Sequence, residues 1–177
     1  MNIALWLVLA LGVVFALLAI FARDATRIAF SLERKRCGLR LKSTAVDGET
    51  WHYLEGGAAD APVLLLLHGF GGDKDHWTRF SRALVRDYRV IAPDLPGFGD
   101  SARHAGWDYS LNAQRDRLNE FIAALKLGPL HLGGNSMGGH LAVIYALVAA
   151  QIDTQILAVF GNGAQAWAQL IQRYGLV

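Results

Sequence analysis

HLGGNSMGGH, residues 131–140, is the stretch that decides how this chain is read. Within it Gly134-Asn135-Ser136-Met137-Gly138 matches G-x-S-x-G, the pattern of a sharp strand-to-helix turn that holds a serine hydroxyl out above a sheet edge. Glycine at both outer positions has a steric reason. A tight turn forces backbone past the serine, and a Cβ at either place would crowd it. The pentapeptide alone is a weak signal, because Gly and Ser are common. Its flanks strengthen it: Leu130 and Leu132 form a short apolar approach, and LAVIYALVAA, Leu141 to Ala150, continues as a helix pattern.

Working outward, the same alternation recurs. Upstream, Ser110 is placed to cap a helix with Leu111, Leu118, Phe121, Ile122 and Leu125 at helical spacing, ended by Gly128-Pro129. Tyr88 to Ala92 reads as a strand, followed by the loop DLPGFGDS, residues 94–101. Pro62 precedes VLLLL, residues 63–67, a continuous apolar run of the kind that forms a central strand covered on both faces, as in a parallel sheet. The glycine-rich loop HGFGGDKDH, residues 68–76, comes next, with Asp75 as the expected cap of a helix bearing Trp77, Phe80 and Leu84. Leu39 to Val46 and Thr50 to Leu54 flank Asp47-Gly48, a two-residue hairpin signal. Downstream, Gln155 to Phe160 reads as a strand and AQAWAQLIQR, residues 164–173, as a short amphipathic helix.

Strands alternating with helices predict an α/β fold with a mostly parallel sheet and flanking helices. Ligands of such sheets bind beyond the carboxyl ends of the strands. The loops after Leu67 and Ala92 and the turn at Ser136 all fall at that end.

The N-terminus is of another kind. Residues 3–22 carry no charge, and as a helix they would span about 30 Å, the thickness of a hydrocarbon core. Arg23, Arg27, Arg34, Lys35 and Arg36 follow, with only Asp24 and Glu33 among them. The expected organisation is a transmembrane helix over 1–24, a basic juxtamembrane linker over 25–38 and a folded domain over 39–177. The positive-inside rule puts that domain in the cytoplasm, on a single-pass anchor. The alternative is a cleaved signal peptide and secretion. The single Cys37 excludes an internal disulfide framework. Net charge is +2 and no basic stripe is interleaved with aromatics, which argues against nucleic acid as a partner. The basic run suits anionic lipid headgroups.

Acyl transfer needs a nucleophile, a base, and donors for the charge that develops on the carbonyl oxygen. Ser136 supplies the nucleophile and Met137 N–H, at a helix start, one oxyanion donor. The second donor is expected from Phe70 N–H in the His68–Gly72 loop, where glycines let the backbone approach a substrate. Neither a P-loop ending nor a zinc-ligand pattern is present, and Gly161–Ala166 matches G-x-G-x-x-A without the ribose-binding acid that should follow it. No cofactor or metal is expected.

Three ordered motifs, residues 66–75, 94–101 and 134–139, resemble the α/β-hydrolases, most of all the membrane-anchored monoacylglycerol lipases and small bacterial lipases. The resemblance covers about residues 39–150. It implies hydrolysis of acylglycerols or small esters through a serine acyl-enzyme, with His68 and Gly69 shaping the oxyanion loop and His68 not acting as base. In that family an acid and a histidine follow the serine in the chain. Here only Asp153 and His140 do so, and His140 sits one helical turn beyond the serine. The acid and base are therefore unassigned, and the chain is expected to carry the nucleophile half of the fold with impaired activity. His76 and His104, on loops at the same sheet end, are the remaining histidines within possible reach. Two other functions stay open: a non-catalytic remnant or binding protein, and a C–C bond hydrolase or perhydrolase. A sheet ending near Phe160 would also leave an apolar edge prone to self-association.

Overall fold

The computed structural model of the chain describes residues 3–149, and the chain divides between Glu33 and Arg34 into two compact units. The strand at 155–160, the helix at 164–173, the Gly161–Ala166 motif and Asp153 lie outside the described residues.

The first unit is helix α1 (Ile3–Arg36) as far as Glu33. Its 34 residues extend over about 51 Å at 1.5 Å per residue. Phe15 and Phe21 are each about three-quarters exposed, and the other described apolar side chains of the run are exposed too. Such a surface is costly in water. The helix is long and apolar enough to cross a membrane, and a signal sequence would pass the same test. It does not stop where the apolar run stops. Residues 25–36, read as a linker, continue the helix. Nothing breaks it before Gly38 (φ 75°), and Arg34, Lys35 and Arg36 sit in its last turn, where cations complement the helix dipole.

The second unit opens with a hairpin of β1 (Leu39–Val46) and β2 (Glu49–Gly56). Its turn residues Asp47 and Gly48 both have positive φ, 49° and 78°, as a two-residue turn matched to the strand twist requires. There follow β3 (Val63–Leu67), a 3-10 turn (Lys74–Trp77), α2 (Thr78–Leu84), β4 (Arg89–Pro93), α3 (Leu111–Ala124), β5 (Leu130–Gly134) and α4 (Met137–Ala149).

The described strands lie in the order β1-β2-β4-β3-β5. This corrects the expectation of a mostly parallel sheet. β1 with β2 and β2 with β4 pair antiparallel, and only β4 with β3 and β3 with β5 pair parallel. The two-residue turn forces β2 to run against β1. β2 then pairs with β4, which inserts between β2 and β3 and runs against β2. Helical crossovers, which make strands parallel, begin only after β3.

β3 sits at the centre, and its unbroken apolar run follows from burial on both faces. Leu65 and Leu67 join a core with Leu118, Phe121 and Ile122 of α3 and Leu141 and Tyr145 of α4. Leu66 joins a second core on the opposite face with Leu54, Val90, Trp77 and Leu84. Trp51 stacks on Phe121 at 4.8 Å between ring centroids, and Tyr53 meets the same ring edge-on at 5.6 Å. Ser110 caps α3 as expected, its hydroxyl accepting from Ala113 N–H at 3.3 Å. The cap of the 3-10 turn is Asp73, not Asp75: the Asp73 carboxylate accepts from Asp75 N–H at 2.9 Å. Asp75 is engaged instead by Arg34, whose guanidinium makes a two-pronged ion pair with it, Nε to Oδ1 at 2.6 Å.

Candidate active site

Ser136 stands between the end of β5 and the start of α4. Its φ is 50°, the left-handed region that L-residues other than Gly, Asn and Asp rarely adopt, and its side chain is exposed. Such a conformation costs about 1–3 kcal/mol and persists only where the surroundings impose it. Here they do. Asn135 N–H donates to Leu67 O at 3.0 Å, and His140 N–H donates to Ser136 O at 3.0 Å, so strand and helix are each closed against the turn. A Cβ on Gly134 would lie 2.3 Å from the Gly138 carbonyl carbon, and one on Gly138 would lie 2.3 Å from Leu67 O. Strand, turn and helix approach too closely for any side chain at either place.

Met137 is the first residue of α4, so its N–H is among those that a helix leaves unpaired at its start. Across the sheet end, the loop after β3 comes up against the turn. A Cβ on Gly69 would meet Asn135 O at 3.2 Å and Ser136 Cβ at 3.4 Å. Gly69 O accepts from Gly72 N–H at 3.0 Å and lies 2.8 Å from His68 Nδ1. The peptide bond is planar and trans, so fixing that carbonyl turns the Phe70 N–H of the same peptide unit the opposite way. The Phe70 ring is about four-fifths exposed and meets Phe98 edge-on at 5.6 Å.

His68 is fully buried. Its Nε2 accepts from Leu95 N–H at 3.0 Å, which puts the ring proton on Nδ1, where it is donated to Gly69 O. Both nitrogens are committed. Burial holds the imidazole below its ordinary pKa, with the Gly69 hydrogen bond opposing. His68 thus ties its own loop to the loop after β4.

The remaining histidines are dispersed. His76 is exposed and brings Nε2 to 3.4 Å from the Asn135 side-chain amide. His104 pairs with Glu49 at 2.9 Å and packs its ring on Trp107. The exposed His140 sits one turn into α4. His52 lies on β2, and His131 on β5 with its ring against Tyr88. Among the described residues, no side chain hydrogen-bonds the Ser136 hydroxyl.

One group went unnoticed in the sequence. Lys74, only 2% exposed, reaches Asp94 Oδ2 and Asp100 Oδ2, each at 2.7 Å. A lysine flanked by Asp73 and Asp75 in a glycine-rich loop reads as a solvated charge. The available signal was Asp94, an acid set directly behind an apolar strand, which needs a partner if buried.

Comparison with known proteins places these features in a family. The family model described as alpha/beta hydrolase fold matches residues 62–174. Lipase 1 of Psychrobacter immobilis is 44% identical over 127 residues, which are 71% of this chain and 40% of that protein. The monoacylglycerol lipase ABHD6 of Bos taurus is 32% identical over 123 residues, 68% of this chain and 36% of its own length. The chain thus spans about 40% or less of these curated relatives. Among solved structures, a bacterial membrane phospholipase A described as a virulence factor superposes with a TM-score of 0.74 at 44% identity, covering 83% of this chain and 47% of that one.

Two outcomes follow from this geometry. Ser136→Gly relieves the positive φ that Ser136→Ala retains, so it should be the more stable variant by ~1 kcal/mol, net of glycine's extra chain entropy. Gly138→Ala should lose ~3 kcal/mol or more, since its Cβ meets backbone that cannot rotate away. Urea denaturation of the three variants measures both.

A third outcome concerns His68. An unfolded imidazole titrates near ~6.5, whereas the buried one titrates lower. Between the two values only the unfolded chain takes up the proton. The stabilisation from neutral His68 is therefore complete above about pH 6.5 and is lost as pH falls through the lowered folded value. His131, also held low by burial, acts with the same sign. The gap in thermal midpoint between wild type and His68→Gln should narrow from pH 7.5 to pH 5, and a constant gap would contradict it.

Proposed function

This chain belongs to the alpha/beta hydrolase fold family, and on that premise we propose that it is a carboxylic ester hydrolase of the lipase or monoacylglycerol lipase type, acting through an acyl-enzyme on Ser136. The observation that carries this reading is the exposed serine held at φ 50° between β5 and α4 with the Gly69 backbone against it. The lipase names of the relatives supply the substrate class.

In this reading the Ser136 oxygen attacks the ester carbonyl, and the charge that develops on the carbonyl oxygen is met by Met137 N–H and Phe70 N–H. Donors aimed at that oxygen are commonly the largest single contribution to such catalysis. Met137 N–H sits at a helix start, where the helix dipole adds to its pull on an anion. Phe70 N–H is oriented by the two bonds that hold Gly69 O. His68 and Gly69 support that loop. His68 does not serve as the base, because both its ring nitrogens are engaged.

A second reading, a non-catalytic or binding role, is favoured by one observation: among the described residues nothing accepts the Ser136 proton. Without a base the hydroxyl stays protonated near neutral pH, and what survives is the smaller acceleration, ~10³–10⁴ over water, that oxyanion donors and binding provide. The 177-residue polypeptide should therefore react slowly with a fluorophosphonate probe, and Ser136→Ala should abolish the labelling. Equal background in the two proteins would support the non-catalytic reading. Fast stoichiometric labelling would require a base, with His76 the first residue to replace.

Helix α1 is proposed as a single-pass anchor that leaves the folded unit in the cytoplasm, with Lys35 and Arg36 near anionic headgroups. The protein should stay in the membrane fraction after alkaline extraction. The folded unit should be open to protease only when the cytoplasmic face is exposed. A soluble mature form beginning after residue 22 would show a signal peptide instead.

A further inference from the structure

Two loops frame Ser136 at the sheet end: residues 68–77 after β3, and residues 94–101 after β4. They are joined by a buried charge cluster which the chemistry at Ser136 does not itself use. Lys74 Nζ donates to Asp94 Oδ2 and to Asp100 Oδ2, both at 2.7 Å. Lys74 N–H donates to Asp94 Oδ1 at 2.7 Å, and Asp100 N–H donates to Asp94 Oδ2 at 2.8 Å. Asp94 is fully buried and takes donors from both loops on its two oxygens. The second loop wraps so closely that a Cβ on Gly99 would lie 2.2 Å from the Asp94 carboxylate.

We propose that Lys74 is a positioning residue for the oxyanion loop: by bridging Asp94 and Asp100 it pins the loop after β3 to the loop after β4, and so holds Phe70 N–H in register with Ser136. This rests on the Ser136 nucleophile reading. The segment that presents Phe70 is short, and it is tied down on both sides. On its N-terminal side His68 is bonded to Leu95 N–H, and on its C-terminal side Lys74 is bonded to Asp94, the residue next to Leu95. Both ties end on one dipeptide of the second loop. Gly72 N–H and Gly69 O close the turn between them.

The choice of an ion bridge is informative. Two charges buried together gain little net stability over well-packed apolar groups, because desolvation offsets their attraction. Directionality is what an apolar contact lacks: ammonium and carboxylate meet only in a narrow range of distances and angles. Removing the ammonium leaves Asp94 buried with fewer donors, and the two loops are then tied only by the Lys74 N–H and His68 bonds, which hold them less firmly.

The test uses the whole chain and a fluorophosphonate. Ser136 Oγ bonds to phosphorus, fluoride leaves, and the hydroxyl proton passes to solvent, so the rate constant for inactivation reads donor alignment while the saturation constant reads probe binding. Loss of one oxyanion donor costs ~10²–10³ in rate, and a displaced donor should forfeit part of that, ~10-fold or more, in Lys74→Met. The saturation constant should stay within about twofold. Asp100→Asn, at a side chain 62% exposed, breaks one arm of the bridge and should give a smaller loss of the same kind. If Lys74→Met does not fold, Asp100→Asn decides. Wild-type inactivation rates in either folded variant, even with a lowered thermal midpoint, would reduce the cluster to a structural brace and overturn the proposal. Absence of any Ser136-dependent labelling in wild type would overturn the nucleophile reading as well, and the Ser136→Ala control separates that failure from the first.

Discussion

The close passage of three backbone segments at Gly134, Ser136 and Gly138 is the constraint from which the rest of the folded unit takes its arrangement. β5 must end beside β3 for Asn135 N–H to reach Leu67 O, and α4 must begin within 2.3 Å of where a Cβ on Gly134 would lie. Neither approach tolerates a side chain. With strand and helix set that way, Ser136 has no conformation but the left-handed one, and its hydroxyl is left facing outward. The strain is local, and it is opposed by two cores that pack on opposite faces of β3.

Charge is distributed with the same economy of place. The sheet interior around Leu65 and Ile91 is built of apolar side chains, whereas the loops at its carboxyl end enclose His68, Lys74 and Asp94. A polar group removed from water must find partners, and here each finds at least one in the opposite loop. The loops therefore cannot shift independently without exposing unsatisfied donors or a bare carboxylate. Next to this cluster, Arg34 in the last turn of α1 grips Asp75 through both guanidinium prongs. Adjacent residues Lys74 and Asp75 thus answer to different partners: the lysine to the loop after β4, the aspartate to the end of α1.

Much of this was legible in the chain. The hairpin at Asp47-Gly48, the buried run 63–67, the Ser110 cap and the turn at Ser136 each rest on short-range sterics or on periodicity, which a sequence carries in full. The helical continuation through Arg36 was legible too, in the absence of any breaker before Gly38. The departure from a mostly parallel sheet has a different origin. Periodicity marks β2, β3 and β4 as strands without saying which are neighbours, and the insertion of β4 between β2 and β3 is a matter of pairing across the chain.

By itself, then, the sequence determined the strands and helices of the described folded unit, the serine at a tight turn between its glycines, and an apolar N-terminal helix of membrane-spanning length. These depend on contacts between residues a few positions apart. Only the tertiary structure decided that half the pairings among the described strands are antiparallel, that His68 spends both nitrogens on backbone groups, and that Lys74 turns inward to Asp94 and Asp100 across 20 and 26 residues. The physical reason is one of range. A lysine between two aspartates has the same local chemistry whether it meets water or a buried carboxylate, and which of them it meets is settled only when two distant loops are folded against each other.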